Sequence, residues 1–157
     1  MVEGFEGLSE QEFEALKNGI SWITVLIAGA DGVIDSEEQE WAEKVTKIRA
    51  YSLPNELKNF YAEVGEDFAE KLDETINEVN GDISEIQASL SSKLASLNPI
   101  LAKLENDIAV DLYESYLSFA VHVAKSSGGF LGMMSISAEE KELIGLTMLN
   151  KIERIQQ

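Results

Sequence analysis

Apolar residues recur along this chain at alternating steps of three and four, and no stretch alternates in twos long enough for a strand, so the fold is restricted to packed helices. The clearest stripe is Phe13, Leu16, Ile20, Ile23 and Ile27, and it follows Ser9 and Glu12, the spacing of a capping box. Around Trp22 to Leu26 the stripe widens to nearly all faces, which predicts a first helix buried on most sides and ending near Ala30. With 157 residues, 45% of them hydrophobic, the chain is long enough for one domain with a real core and too short for two.

Asp31-Gly32 supplies a turn, and Asp35-x-x-Glu38 or Ser36-x-x-Gln39 restarts a second helix whose inner face is Trp41, Val45 and Ile48. A third helix opens at Pro54 and carries Leu57, Phe60, Val64, Phe68, Leu72, Ile76 and Val79, with Gly65 marking a bend or a close helix approach. Asn80-Gly81 breaks that pattern, and Asp82-x-x-Glu85 begins a fourth helix with Ile83, Ile86, Leu90, Leu94 and Leu97 on one side. Asn98-Pro99, a cap followed by proline, starts a fifth that runs through Leu101, Leu104, Ile108, Leu112, Phe119 and Val123 to Lys125. After the loop SSGGFLGMMS, Ser137-x-x-Glu140 caps a last helix with Leu143, Ile144, Met148, Ile152 and Ile155 inward.

One helix pair is used twice. Ser21 to Ala28 aligns with Leu117 to Ala124 in apolar character, and Ile34-Asp35-Ser36-Glu37-Glu38 aligns with Ile136-Ser137-Ala138-Glu139-Glu140 after a longer loop. The expected architecture is a single all-α bundle of about six helices: a hairpin over 9–50, central helices over 54–97, and a pseudo-symmetric hairpin over 99–155. Ile34 and Ile136 sit before each cap as hydrophobic staples.

Charge narrows the partners. Twelve basic against 29 acidic residues leave a net charge of −17, which opposes nucleic acids and anionic lipids and favours cations or basic protein surfaces. The absence of cysteine removes disulfides and thiolate metal sites and suits a reducing cytoplasm. The N-terminal MVEGFEGLSEQE is acidic where an export signal is basic and then apolar, and the run from Ile23 to Ala30 is far short of the roughly 20 residues that span a bilayer.

Three carboxylates within eight residues, Asp31, Asp35 and Glu38, are the candidate metal ligands, an oxygen-only set suited to weakly held calcium or magnesium. Gly32, Ile34, Asp35 and Glu38 match positions six, eight, nine and twelve of an EF-hand loop, with Asp31 at position five. Positions one and three fall on Ile27 and Gly29, which lack side-chain oxygens, so this is half a loop. The same acids also serve as helix-end and capping residues, and both readings stay open.

His122, the one histidine, has neither cysteine nor a second imidazole for a zinc site, and its apolar neighbours predict a packed or half-exposed position rather than a catalytic base. The loop over 126–135 lacks the lysine of a phosphate-binding loop; Phe130, Leu131, Met133 and Met134 there fit either a partner surface or the core.

The words AGADGVIDSEE and SISAEEKELI, each after an apolar helix, resemble the TerB-like tellurite-resistance family, whose turn hallmark is met by Ala28, Asp31, Gly32, Ile34 and Glu38. That resemblance implies a compact cytoplasmic helical protein of tellurite and stress responses. It also implies an acidic face for divalent cations and an adaptor role toward membrane-bound and calcium-binding partners. The second copy has Gly128, Gly129 and Ser137 where the first has Asp31, Gly32 and Asp35, which confines any ion site to the first turn. The expectation is a non-enzymatic module without a fixed cofactor beyond such a cation. A metal-assisted hydrolase using paired carboxylates, or a purely structural dimerising bundle, are the alternatives.

Overall fold

The chain enters its first helix through a closed pair of hydrogen bonds. The Ser9 amide donates to Glu12 Oε1 at 2.9 Å, and the Glu12 amide donates to Ser9 Oγ at 3.1 Å, which is the capping box expected from the sequence. A computed structural model describes residues 3–28, 55–79, 81–126 and 143–155. Helix α1 (Glu10–Ala28) buries Phe13, Leu16, Ile20, Ile23 and Ile27, and from Ser21 onward Thr24, Val25 and Leu26 are buried as well. Thr24 is tolerated there because its hydroxyl donates back to the Ile20 carbonyl at 2.8 Å.

α1 is the axis of the molecule. It packs against α2 (Asn55–Glu66), α3 (Phe68–Glu78), α4 (Ile83–Ala95) and α6 (Asn106–Ser126), and a single turn, α5 (Asn98–Leu101), joins α4 to α6. The protein is all-α, and the described residues contain no strand. None of their helices is long and apolar enough to cross a membrane.

The helices that carry the two copies of the repeated apolar segment, α1 and α6, pack against each other. Three aligned pairs are buried alike, Ile23 with Phe119, Thr24 with Ala120 and Ile27 with Val123, whereas Leu26 is buried and its counterpart His122 is exposed. Gly19 makes the close approach feasible, because Leu97 and the Tyr116 hydroxyl occupy the space beside it. Tyr116 Oη donates to the Leu16 carbonyl at 2.7 Å, tying the two helices together inside the core.

Several boundaries differ from expectation. The third predicted helix is two, broken at Asp67 rather than at Gly65, with Asp67 in a non-helical conformation. The fifth is also two: α5 closes with bonds from Lys103 to Ile100 and from Leu104 to Leu101, and Glu105-Asn106-Asp107 starts α6 with an acidic first turn. Asn98 is not a cap, because the residue preceding α5 is Leu97. Ile83 lies 42% exposed, so the apolar side of α4 meets the core only from Ile86 onward.

The largest difference concerns the last predicted helix. Its cap, Ser137 with Glu140, lies outside the described residues; Leu143 is helical, and 144–149 form two linked turns, closed by Leu146 N–H to Leu143 O at 3.0 Å and Leu149 N–H to Leu146 O at 2.9 Å, followed by a non-helical run over 150–155. Leu146 holds a φ of +45°, a conformation that costs a non-glycine residue about 1–2 kcal/mol. Complete burial of its side chain offsets that cost. Ile155, placed inward by the helical spacing, is 70% exposed. The second predicted helix with Trp41, Val45 and Ile48 and the loop with Phe130 to Met134 lie outside the described residues.

Candidate functional site

The predicted ligands Asp31, Asp35 and Glu38 lie outside the described residues, together with Ile34 and Ile136. Among the described residues no group of three or more His, Cys, Asp or Glu is arranged to hold a metal ion. His122 is exposed on α6 rather than packed or half-exposed as its apolar neighbours predict, because it lies off the face that buries Phe119, Ala120 and Val123.

The described structure does assemble a different device, made by two asparagines at helix starts. Asn98, opening α5, donates from Nδ2 to the Met148 carbonyl at 3.0 Å, and its Oδ1 accepts from the Asn150 amide at 2.8 Å. Asn106, opening α6, repeats the pattern: Nδ2 donates to the Glu153 carbonyl at 3.0 Å and Oδ1 accepts from the Ile155 amide at 2.8 Å. Each side-chain amide thus grips the carbonyl of one residue and the N–H two residues on, as a neighbouring strand does in a sheet. Those backbone groups face one way only where the intervening residue is open rather than helical, which is why this segment is not a helix.

The residue in the middle of each clamp reads the surface beneath. In the first it is Leu149, 4% exposed and part of the core. In the second it is Arg154, whose Nη1 and Nη2 reach Asp107 Oδ1 and Asp111 Oδ1, each at 2.7 Å. Asp107 and Asp111 are one turn apart on α6 and so present both carboxylates to one guanidinium. Their hydrogen bonds, Asp111 first and then Asp107, push the Arg154 pKa further up. Between the clamps the strap does not fill the space below it. A cavity of about 500 Å³ remains, with Leu101, Leu104 and Ala109 on the helical side and Ile152 and Ile155 on the strap.

Elsewhere the perturbed groups are structural. Burial, and then the nearby Tyr61, push the Tyr116 phenol well above its usual range, so it keeps its proton and its bond to Leu16. Tyr61 Oη lies 2.9 Å from Ser115 Oγ, and Ser115 donates to the Leu112 carbonyl at 2.8 Å, which leaves Tyr61 as the donor of the pair. The Lys103 ammonium, and next the Ser9 amide, hold the Glu12 carboxyl below the usual range. Because folding lowers this pKa, its contribution is complete above the ordinary glutamate range and is lost as the pH falls through the depressed value. The melting difference between wild type and Glu12→Gln should therefore be present at neutral pH and shrink as the pH is taken down through and below the ordinary glutamate range, measured by circular dichroism.

The sequence reading missed the clamp. It took Asn98 as a cap and passed over Asn106, and the available signal was Gly145 inside the expected last helix, where glycine costs about 1 kcal/mol against alanine. No known family model, curated protein sequence or solved structure matches the chain.

Proposed function

We propose that this chain is a non-enzymatic protein-interaction adaptor of the TerB-like kind, acting in the cytoplasm in a tellurite or related stress response. The observation that carries the adaptor role is the pair of asparagine clamps: polar side chains at two helix starts are committed to holding extended main chain, a task of recognition rather than of bond-making. The TerB-like part is supported by the turn words Ala28, Asp31, Gly32, Ile34 and Glu38 and by the packing of the repeat-related helices α1 and α6. Asp31, Asp35 and Glu38 offer a calcium or magnesium ion a weak, largely hydrated site, with a dissociation constant on the order of 10⁻⁴–10⁻³ M.

Calorimetric titration of calcium and of magnesium, into wild type and into the Asp31→Ala, Asp35→Ala double variant, tests the ion. Heat of binding should appear in wild type and be lost in the variant; equal heats from both proteins would remove the cation from the proposal. Capture of proteins from a cytosolic extract with and without calcium tests the adaptor role, which fails where nothing is retained under either condition.

A further inference from the structure

We infer that the Asn106 clamp, the Asp107–Asp111 pair and the adjoining cavity form a binding site for an extended aliphatic-x-Arg peptide segment of a partner protein, and that the chain's own Ile152-Glu153-Arg154 is a displaceable occupant of it. The inference rests on the interaction-module reading above and names the site and the partner chemistry.

The clamp recognises main chain only, through the Glu153 carbonyl and the Ile155 amide, so any segment that can extend across it satisfies those bonds. Side-chain selectivity comes from two places. Asp107 and Asp111 present a two-carboxylate fork to the middle residue, a geometry that guanidinium fills and ammonium does not. The cavity of about 500 Å³ beside Leu101, Leu104 and Ala109 takes an aliphatic side chain two residues earlier, where Ile152 now reaches only partway into the apolar ground.

The two halves of the strap are held unequally. Leu146 and Leu149 are core residues and anchor the inner half. The outer half ends on Ile155, 70% exposed, and its ion pairs lie at the surface, with Arg154 49% and Asp107 74% exposed, so a competing guanidinium can reach the two carboxylates and exchange with Arg154. It also leaves the cavity unfilled. A partner peptide can therefore replace 151–155 while 146–149 stays in place.

Charge selects the occupant. The chain carries −17, and the strap is locally basic, with Lys151 and Arg154 against Glu153. A basic peptide is attracted to this surface, whereas a second copy brings the same −17 and is repelled.

The test uses the full chain and a fluorescein-labelled peptide, NKIERIQQ, followed by polarisation. In the Arg154→Glu protein the cis occupant is weakened while the site is intact, so the peptide should bind at least roughly tenfold more tightly than to wild type. Adding Asn106→Asp keeps the acceptor and an acidic first turn on α6 but removes the donor to the carbonyl, and should cost at least roughly tenfold. A peptide with Glu in place of its Arg should bind neither protein. Unchanged far-ultraviolet dichroism verifies the fold of each variant. Lack of saturable binding to Arg154→Glu, or indifference to Asn106→Asp, overturns the proposal. So does a wild-type dimer on a sizing column that Arg154→Glu dissociates, because the occupant is then a second copy. A protein that takes no peptide yet still captures partners from extract refutes this groove and leaves the adaptor reading standing.

Discussion

Phe60→Ala should destabilise the protein by roughly 3–5 kcal/mol, the range for removing a fully buried aromatic ring. Phe60 is inaccessible and sits among three other rings: Phe5 is stacked on it at 5.5 Å, Phe13 meets it edge-on at 5.9 Å, and Tyr61 lies at 5.3 Å and 86°. These contacts join the segment before α1 to α1 and α2, so the cavity left by alanine has walls from three parts of the chain and collapses poorly. For a protein of this size each kcal/mol moves the melting temperature by about 2–4 °C, which predicts a drop of roughly 6–20 °C. Phe60→Leu keeps most of the volume and should cost about 1–1.5 kcal/mol. A scanning calorimetry trace in which the alanine variant melts within 2–3 °C of wild type would mean that the cluster is not packed as described.

The second large effect lies at Gly19, and its sign depends on the size of the replacement. A Cβ there comes 3.0 Å from Leu97 Cδ1 and 3.3 Å from the Tyr116 hydroxyl. Leu97 Cδ1 is the end of a flexible side chain and can yield by a few tenths of an ångström, while alanine gains about 1 kcal/mol of helix propensity over glycine. Gly19→Ala should therefore stay within about 1 kcal/mol of wild type. Valine adds two methyl groups in a stiff rotamer and drives one toward Tyr116. Overpacking of that kind costs about 1–3 kcal/mol, and displacing the hydroxyl from the Leu16 carbonyl adds about 1 kcal/mol. Urea denaturation should then place Gly19→Val roughly 2–4 kcal/mol below wild type. Tyr116→Phe in the valine background removes the colliding oxygen and should recover part of the loss. Wild-type stability for Gly19→Val would show that α1 and α6 are not in close contact.

These two sites also mark the limit of what a local reading reaches. The stripe from Phe13 to Ile27, the box of Ser9 and Glu12, and the start at Asp82, where the Glu85 amide donates to Asp82 Oδ1 at 2.9 Å, were all legible. Each is decided within a few residues by capping chemistry or helical period. The break before Asp82 was equally legible, since Gly81 takes a φ of +107° that asparagine-glycine turns favour. The neighbours that give Gly19 its role, Leu97 and Tyr116, are far off in sequence, and no local pattern announces them.

Period and capping chemistry in the sequence therefore determined an all-α class and a central first helix buried on most sides. Tertiary structure decided how residues 143–155 satisfy their backbone. Their apolar spacing fits a helix, but an amide and a carbonyl accept any good partner, and Asn98 and Asn106, 47 to 52 residues away, offer pairs that a helix cannot use. Once Leu146 and Leu149 are in the core and both asparagines are bonded, the extended path keeps its hydrogen bonds and buries its leucines, so the long-range contacts override the local preference.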